Sequence, residues 1–154
     1  MSQHSATLHW QRGTAAFVDN AYSRLHEIHF DGGLVLRASS SPHVVKVPYS
    51  DPTAADPEEM FVAALASCHM LWFLSLAATA GWVVDSYQDA AVGTMAVGEQ
   101  GRAWVSQVTL HPAVQFCGPP PSLAELHALH HQAHAQCFIA NSVRTDVRCE
   151  PVLS

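Results

Sequence analysis

The stretch Asp56–Gly81, DPEEMFVAALASCHMLWFLSLAATAG, decides the fold. Asp56 is a capping residue, Pro57 suits the first helical position, and Glu58 and Glu59 favour the positive end of a helix dipole. From Met60 to Val84 there is no Asp, Glu, Lys or Arg. The spacing predicts a helix from Asp56 to about Gly81 that is apolar all round, which implies burial on most faces. Its length would also suit a bilayer span. However, the nearest basic residues, Lys46 and Arg102, are too distant to act as flanking anchors, and Ser67, Cys68, His69, Ser75 and Thr79 interrupt the apolar run. The reading is a buried central helix and no membrane.

Upstream, SATLHW alternates and is able to pair with a later strand. LHEIHF alternates too, and Asp31-Gly32-Gly33 supplies a turn before LVLRAS, the pattern of a hairpin. SSSPHVVKVPYSDPTAADP carries four prolines among small polar residues and reads as a long loop with extended pieces. Downstream, WVVDSYQDAAVGTMAVG and AWVSQVTLHPAVQF favour strands, with a turn around Gly98–Gly101. Ser122 and Glu125 have capping-box spacing and open a second helix, LAELHALHHQAHAQC. SVRTDVRCEPV ends the chain as a short strand. The order defines an α+β protein, helices on antiparallel sheets, expected as a single domain over residues 1–154.

Hydrophobic residues make up 49% of the chain and charged residues only 13%. A lone small domain needs more polar surface than that, so part of the apolar surface is expected in a subunit interface. The formal charge of −6 and the scattered seven Lys and Arg argue against nucleic-acid binding. The first residues lack an apolar signal core, so a cytoplasmic setting with reduced thiols is expected. Cys68, Cys117, Cys137 and Cys149 form no CxxC pair. Catalytic or inert thiols therefore fit better than structural bridges.

A thiol reacts as its thiolate. Cys68 lies about three turns into its helix, beyond the reach of the helix dipole, so any activation needs a cation from elsewhere. His69 is adjacent but points about 100° away around the helix. On composition alone, a free cysteine in an apolar helix is most often buried and inert. Cys137 follows the second helix, and no local motif joins it to Cys68. Cys117 and Cys149 read as bystanders.

The two local sequences add what spacing cannot. DPEEMFVAALASCHMLWFLSLAATAG and LHHQAHAQCFIANSV resemble the OsmC/Ohr family of thiol peroxidases, and the match continues through VDSYQDAAVG and VTLHPAVQF. The resemblance implies the OsmC-like fold and a two-cysteine reaction. Cys68 would attack a peroxide oxygen and become a sulfenic acid, Cys137 would condense with it to a disulfide, and an external dithiol would restore both thiols. The substrates implied are organic hydroperoxides, with hydrogen peroxide as a second class. The reductant in the family can be a lipoylated protein.

In the family the thiolate is assisted by an arginine held by a glutamate. Glu58 occupies the matching Pro-Glu position. Arg24, ahead of the Gly32-Gly33 turn, is the choice for the arginine, with Arg12 and Arg37 left open by the differing loops. In one helix Glu58 would stand about 15 Å from Cys68 along the axis and roughly 80° off its face. If Glu58 serves the thiol site, it therefore serves the Cys68 of another subunit, and an intertwined homodimer is expected.

The apolar neighbours Met60, Phe61, Met70, Trp72 and Phe73 either form a greasy pocket mouth or are core and interface side chains. His127, His130, His131 and His134 fall at helical spacing, with Cys137 continuing the row. That row supports a competing reading, a non-catalytic stress-associated protein binding a metal or small ligand through the His-rich helix. The enzyme reading carries no metal and no cofactor. Glu59 is expected to be only a helix-start charge.

Overall fold

The computed structural model describes residues 2–153. The chain divides into two compact units, residues 1–60 and 61–154. The expected α+β class is observed. In the first unit, β1 (Ala6–His9), β2 (His26–Phe30) and β3 (Val35–Ala38) form an antiparallel sheet in that order. The hairpin at Asp31-Gly32-Gly33 is present: Gly33 has φ 86°, a conformation that costs glycine no steric penalty, and its N–H donates to Phe30 O at 3.0 Å. SATLHW pairs with β2, Ala6 opposite Phe30.

Helix α1 (Pro57–Thr79) starts where the sequence placed it. The Glu59 N–H donates to Asp56 Oδ1 at 2.7 Å, and the Asp56 N–H donates to Glu59 Oε2 at 3.1 Å. Glu59 thus closes a reciprocal cap.

In the second unit, β4 (Val84–Asp89) pairs with β7 (Pro112–Phe116), while β5 (Val92–Val97), β6 (Ala103–Leu110) and β8 (Asp146–Cys149) form a second sheet. Each of the two long strand-favouring stretches is therefore split between sheets. The sheets are antiparallel as expected, with one exception: β8 runs parallel to β6. A strand reached through α2 (Leu123–Gln136) has a long enough connection to return in either direction.

The buried central helix needs correction. In the single chain α1 buries one stripe, Leu65, His69, Phe73 and Ala77, at i, i+4 spacing. Leu65 packs with Val108 and Leu110 of β6, whereas Phe73 and Ala77 pack with Leu129 and Ala133 of α2. Leu71 on another face is 60% exposed. By length and composition α1 could cross a membrane, but its buried stripe is the core of this unit.

Gly93 of β5 marks the tightest approach to α1. A Cβ there would lie 2.6 Å from Val62 Cγ2, and a branched side chain on a helix cannot swing aside cheaply. Gly93→Ala is expected to cost about 1–3 kcal/mol in urea unfolding; an unchanged midpoint would show that α1 and β5 yield freely.

Candidate active site

Cys68 and Cys137 are brought together, although no local motif links them. Cys68 sits on α1, one position before the buried stripe, and is half-buried. Cys137 is the C-terminal cap of α2, where its N–H donates to His134 O at 3.2 Å, and it is fully buried. Burial pushes the Cys137 thiol up to about 11, and hydrogen bonding with the neighbouring Cys68 adds to the shift. The Ala140 N–H donates to Cys137 Sγ at 3.3 Å and opposes it. Both thiols are free.

The two positions are chemically unequal. Cys137 stays protonated at neutral pH and has no solvent path, so it is a poor attacking thiolate. Cys68 opens onto a pocket of about 520 Å³ whose walls include Leu71, Trp72, Phe138 and Ile139. Trp72 and Phe138 meet edge to face at 5.5 Å. Of the apolar residues expected at the pocket mouth, Met60, Phe61, Met70, Trp72 and Phe73, Trp72 alone lines it; Phe73 is in the core. The residues after Cys137, Phe138 and Ile139, supply the opposite wall, which local sequence around Cys68 could not reveal.

No Arg, Lys or His lines this pocket. The three candidate arginines lie in the first unit. Arg24 is stacked over the Tyr22 ring at 3.8 Å and donates to the carbonyl oxygens of Asn20 and Tyr22. Arg37 pairs with Asp51 at 2.9 Å, and Arg12 donates to Ala15 O. Among the described residues Glu58 makes no ion pair with any of them. Among the described residues neither Arg24 nor Arg12 pairs with a carboxylate; Arg24 is half-buried and Arg12 exposed.

The histidine row of α2 does not converge. His127 and His131 are exposed, and His130 turns inward. There it meets His69, whose Nε2 lies 3.0 Å from His130 Nδ1, and Cys149, whose Sγ lies 3.7 Å from the same Nε2. In sequence His69 points away from Cys68 and Cys149 reads as a bystander; the structure brings His69 and Cys149 together with His130. A signal was available for His69, which shares the i, i+4 register of Leu65 and Phe73.

A half-buried thiol on an apolar pocket beside a fully buried one, on an α+β scaffold, defines a protein with two neighbouring free thiols. The chain belongs to the OsmC-like protein family, whose model matches residues 50–151. An OsmC-like protein of unknown function from Vibrio cholerae is 52% identical over 99% of this chain and 100% of its own, with a TM-score of 0.96. An organic hydroperoxide resistance protein from Elizabethkingia anophelis is 18% identical over 100% of this chain and 96% of its own, TM-score 0.72. The organic hydroperoxide resistance protein OhrB of Bacillus subtilis is 18% identical over 98% of each chain, TM-score 0.68. The last two likenesses are of fold. No curated protein matches the chain.

Proposed function

We propose that this protein is a thiol-dependent peroxidase that reduces organic hydroperoxides, with Cys68 as the attacking thiol and Cys137 as its resolving partner. The observation that carries this reading is the asymmetry of the neighbouring thiols, one open to an apolar pocket and one sealed beneath it. The hydroperoxide resistance proteins of the same fold support it.

In the first step the Cys68 thiolate attacks one peroxide oxygen and the O–O bond breaks. One proton goes to the leaving alkoxide, so an alcohol departs and Cys68 becomes a sulfenic acid. In the second step the Cys137 sulfur displaces that hydroxyl, loses its own proton and releases water, leaving a Cys68–Cys137 disulfide. The Ala140 N–H at 3.3 Å eases this step by favouring charge on the Cys137 sulfur. An external dithiol then reduces the disulfide by exchange, and a lipoylated protein is one source of it. Apolar walls favour an alkyl or aryl hydroperoxide over hydrogen peroxide, because a small polar substrate gains nothing from them.

The cation that Cys68 needs is assigned to Arg24, held by Glu58. Glu58 and Cys68 stand in one continuous helix, so Glu58 is about 15 Å along the axis from its own Cys68. The reading therefore requires a homodimer in which Glu58 acts at the partner's thiol site. The exposed faces of α1 and of Phe138, 68% accessible in the single chain, support such an interface. A reducing, cytoplasmic setting fits four free cysteines.

The test is a thiol count after one equivalent of an aryl hydroperoxide. Two thiols per chain should disappear, and peptide mapping should place the new disulfide between Cys68 and Cys137. Loss of no thiol, or a disulfide involving Cys117, overturns the assignment.

A further inference from the structure

We propose that His69, His130 and Cys149 form a second site, closed within the residue 61–154 unit, that binds one soft divalent cation of the zinc class. The three residues come from α1, α2 and β8, and one ligand atom of each lies within 4.8 Å of the others. The site shares no side chain with the thiol pair of the proposed peroxidase, so it stands or falls apart from that reading.

Hydrogen-bond accounting is the first support. His69 Nε2 faces both His130 Nδ1 at 3.0 Å and Cys149 Sγ at 3.7 Å. One ring nitrogen serves only one of these partners, whichever tautomer it adopts. His69 Nδ1, His130 Nε2, Tyr87 Oη and Asp89 Oδ2 are buried with no partner among the described residues. His69 and His130 are 1% and 3% exposed. A cation would not take these four atoms; they mark a polar interior around the trio, and the crowding at His69 Nε2 is what a bound ion relieves. A cation bound to Nε2, Nδ1 and Sγ would engage all three crowded atoms at once.

Geometry and ligand type are the second support. Two nitrogens on a tetrahedral zinc lie about 3.4 Å apart, and a nitrogen and a thiolate sulfur about 3.6 Å. The observed 3.0 and 3.7 Å from His69 Nε2 need adjustments of only a few tenths of an ångström, and the three ligand atoms lie within 4.8 Å of one another. Two imidazoles and a thiolate select zinc-class ions over magnesium or calcium. The fourth position falls to an oxygen ligand such as water.

Such an ion would tie α1 to α2 beside both thiols. His69 follows Cys68 directly, and His130 lies about two turns before Cys137. The role is a staple that keeps the two thiol-bearing helices in register.

The test uses the untagged full chain carrying Cys68→Ser and Cys137→Ser, so that the redox thiols cannot bind metal. It is refolded with Co2+ under reducing conditions. One Co2+ per chain is expected, with the intense visible bands of a tetrahedral site and a near-ultraviolet thiolate charge-transfer band. Adding Cys149→Ser should abolish the charge-transfer band, and His130→Asn should weaken binding at least about tenfold. Zn2+ in large excess over its dissociation constant should raise the melting temperature by about 10 °C. No stoichiometric binding, a charge-transfer band that survives Cys149→Ser, or unchanged affinity in a folded His130→Asn protein overturns the proposal.

Discussion

Cys68→Ser should lower the consumption of an organic hydroperoxide, measured with a dithiol reductant in excess, by roughly a thousandfold or more. A serine hydroxyl does not ionise near neutral pH, and the remaining thiols cannot replace Cys68. Cys137 is fully buried, with its thiol pushed up to about 11, and Cys149 is half-buried, its thiol pushed up to about 12 by desolvation. Cys117 is exposed but lines no pocket with Cys68. Cys137→Ser should behave differently. The first turnover should proceed at a near-normal rate and leave a Cys68 sulfenic acid that a carbon-acid probe such as dimedone traps. Excess peroxide should then drive it to the irreversible sulfinic state. Equal and slow consumption by wild type and Cys68→Ser would end the peroxidase reading. Equal sulfenic trapping in wild type and Cys137→Ser would remove Cys137 from the resolving role.

Phe73→Ala should destabilise the fold by about 3–5 kcal/mol, read as a fall in the denaturant midpoint at unchanged slope. Phe73 is completely buried, its ring stacks on His130 at 4.3 Å and lies 5.6 Å from Tyr87, and it packs with Leu129 and Ala133. Removing the ring opens a cavity at the junction of α1 and α2, where a dense interior has no spare atoms to fill it. A cost under about 1.5 kcal/mol would mean that the two helices collapse onto each other. Leu71→Ala, on the exposed face of the same helix, is the internal comparison. In an isolated chain it should cost little, since Leu71 is 60% exposed. A larger cost that grows with protein concentration would mark that face as covered by a second copy.

The helices were legible in the sequence because their causes are local. Asp56, Pro57 and Glu59 start α1, and Ser122 with Glu125 starts α2 through a reciprocal cap that is present in the structure. These signals act within one turn, so they survive whatever the rest of the chain does. The hairpin at Asp31-Gly32-Gly33 was legible for the same reason. The depth of Cys68 in α1, beyond the reach of the helix dipole, was legible too, because it is counted along one helix.

Which face of α1 turns inward was decided only by tertiary structure. A helix apolar on every side carries no periodic signal, so Leu65, His69, Phe73 and Ala77 could not be told from their neighbours. The partition of strands into sheets, with β8 parallel to β6, depends on chain paths around α2 rather than on alternation within each strand. The meeting of Cys68 with Cys137, and of His69 with His130 and Cys149, is of the same kind. Each joins residues far apart in the chain, and the loop-closure entropy it costs is offset by packing of the whole unit, not by any property of the residues that meet. The sequence by itself thus determined the two helices and the chemical types they carry. The tertiary structure decided which of those side chains share a site.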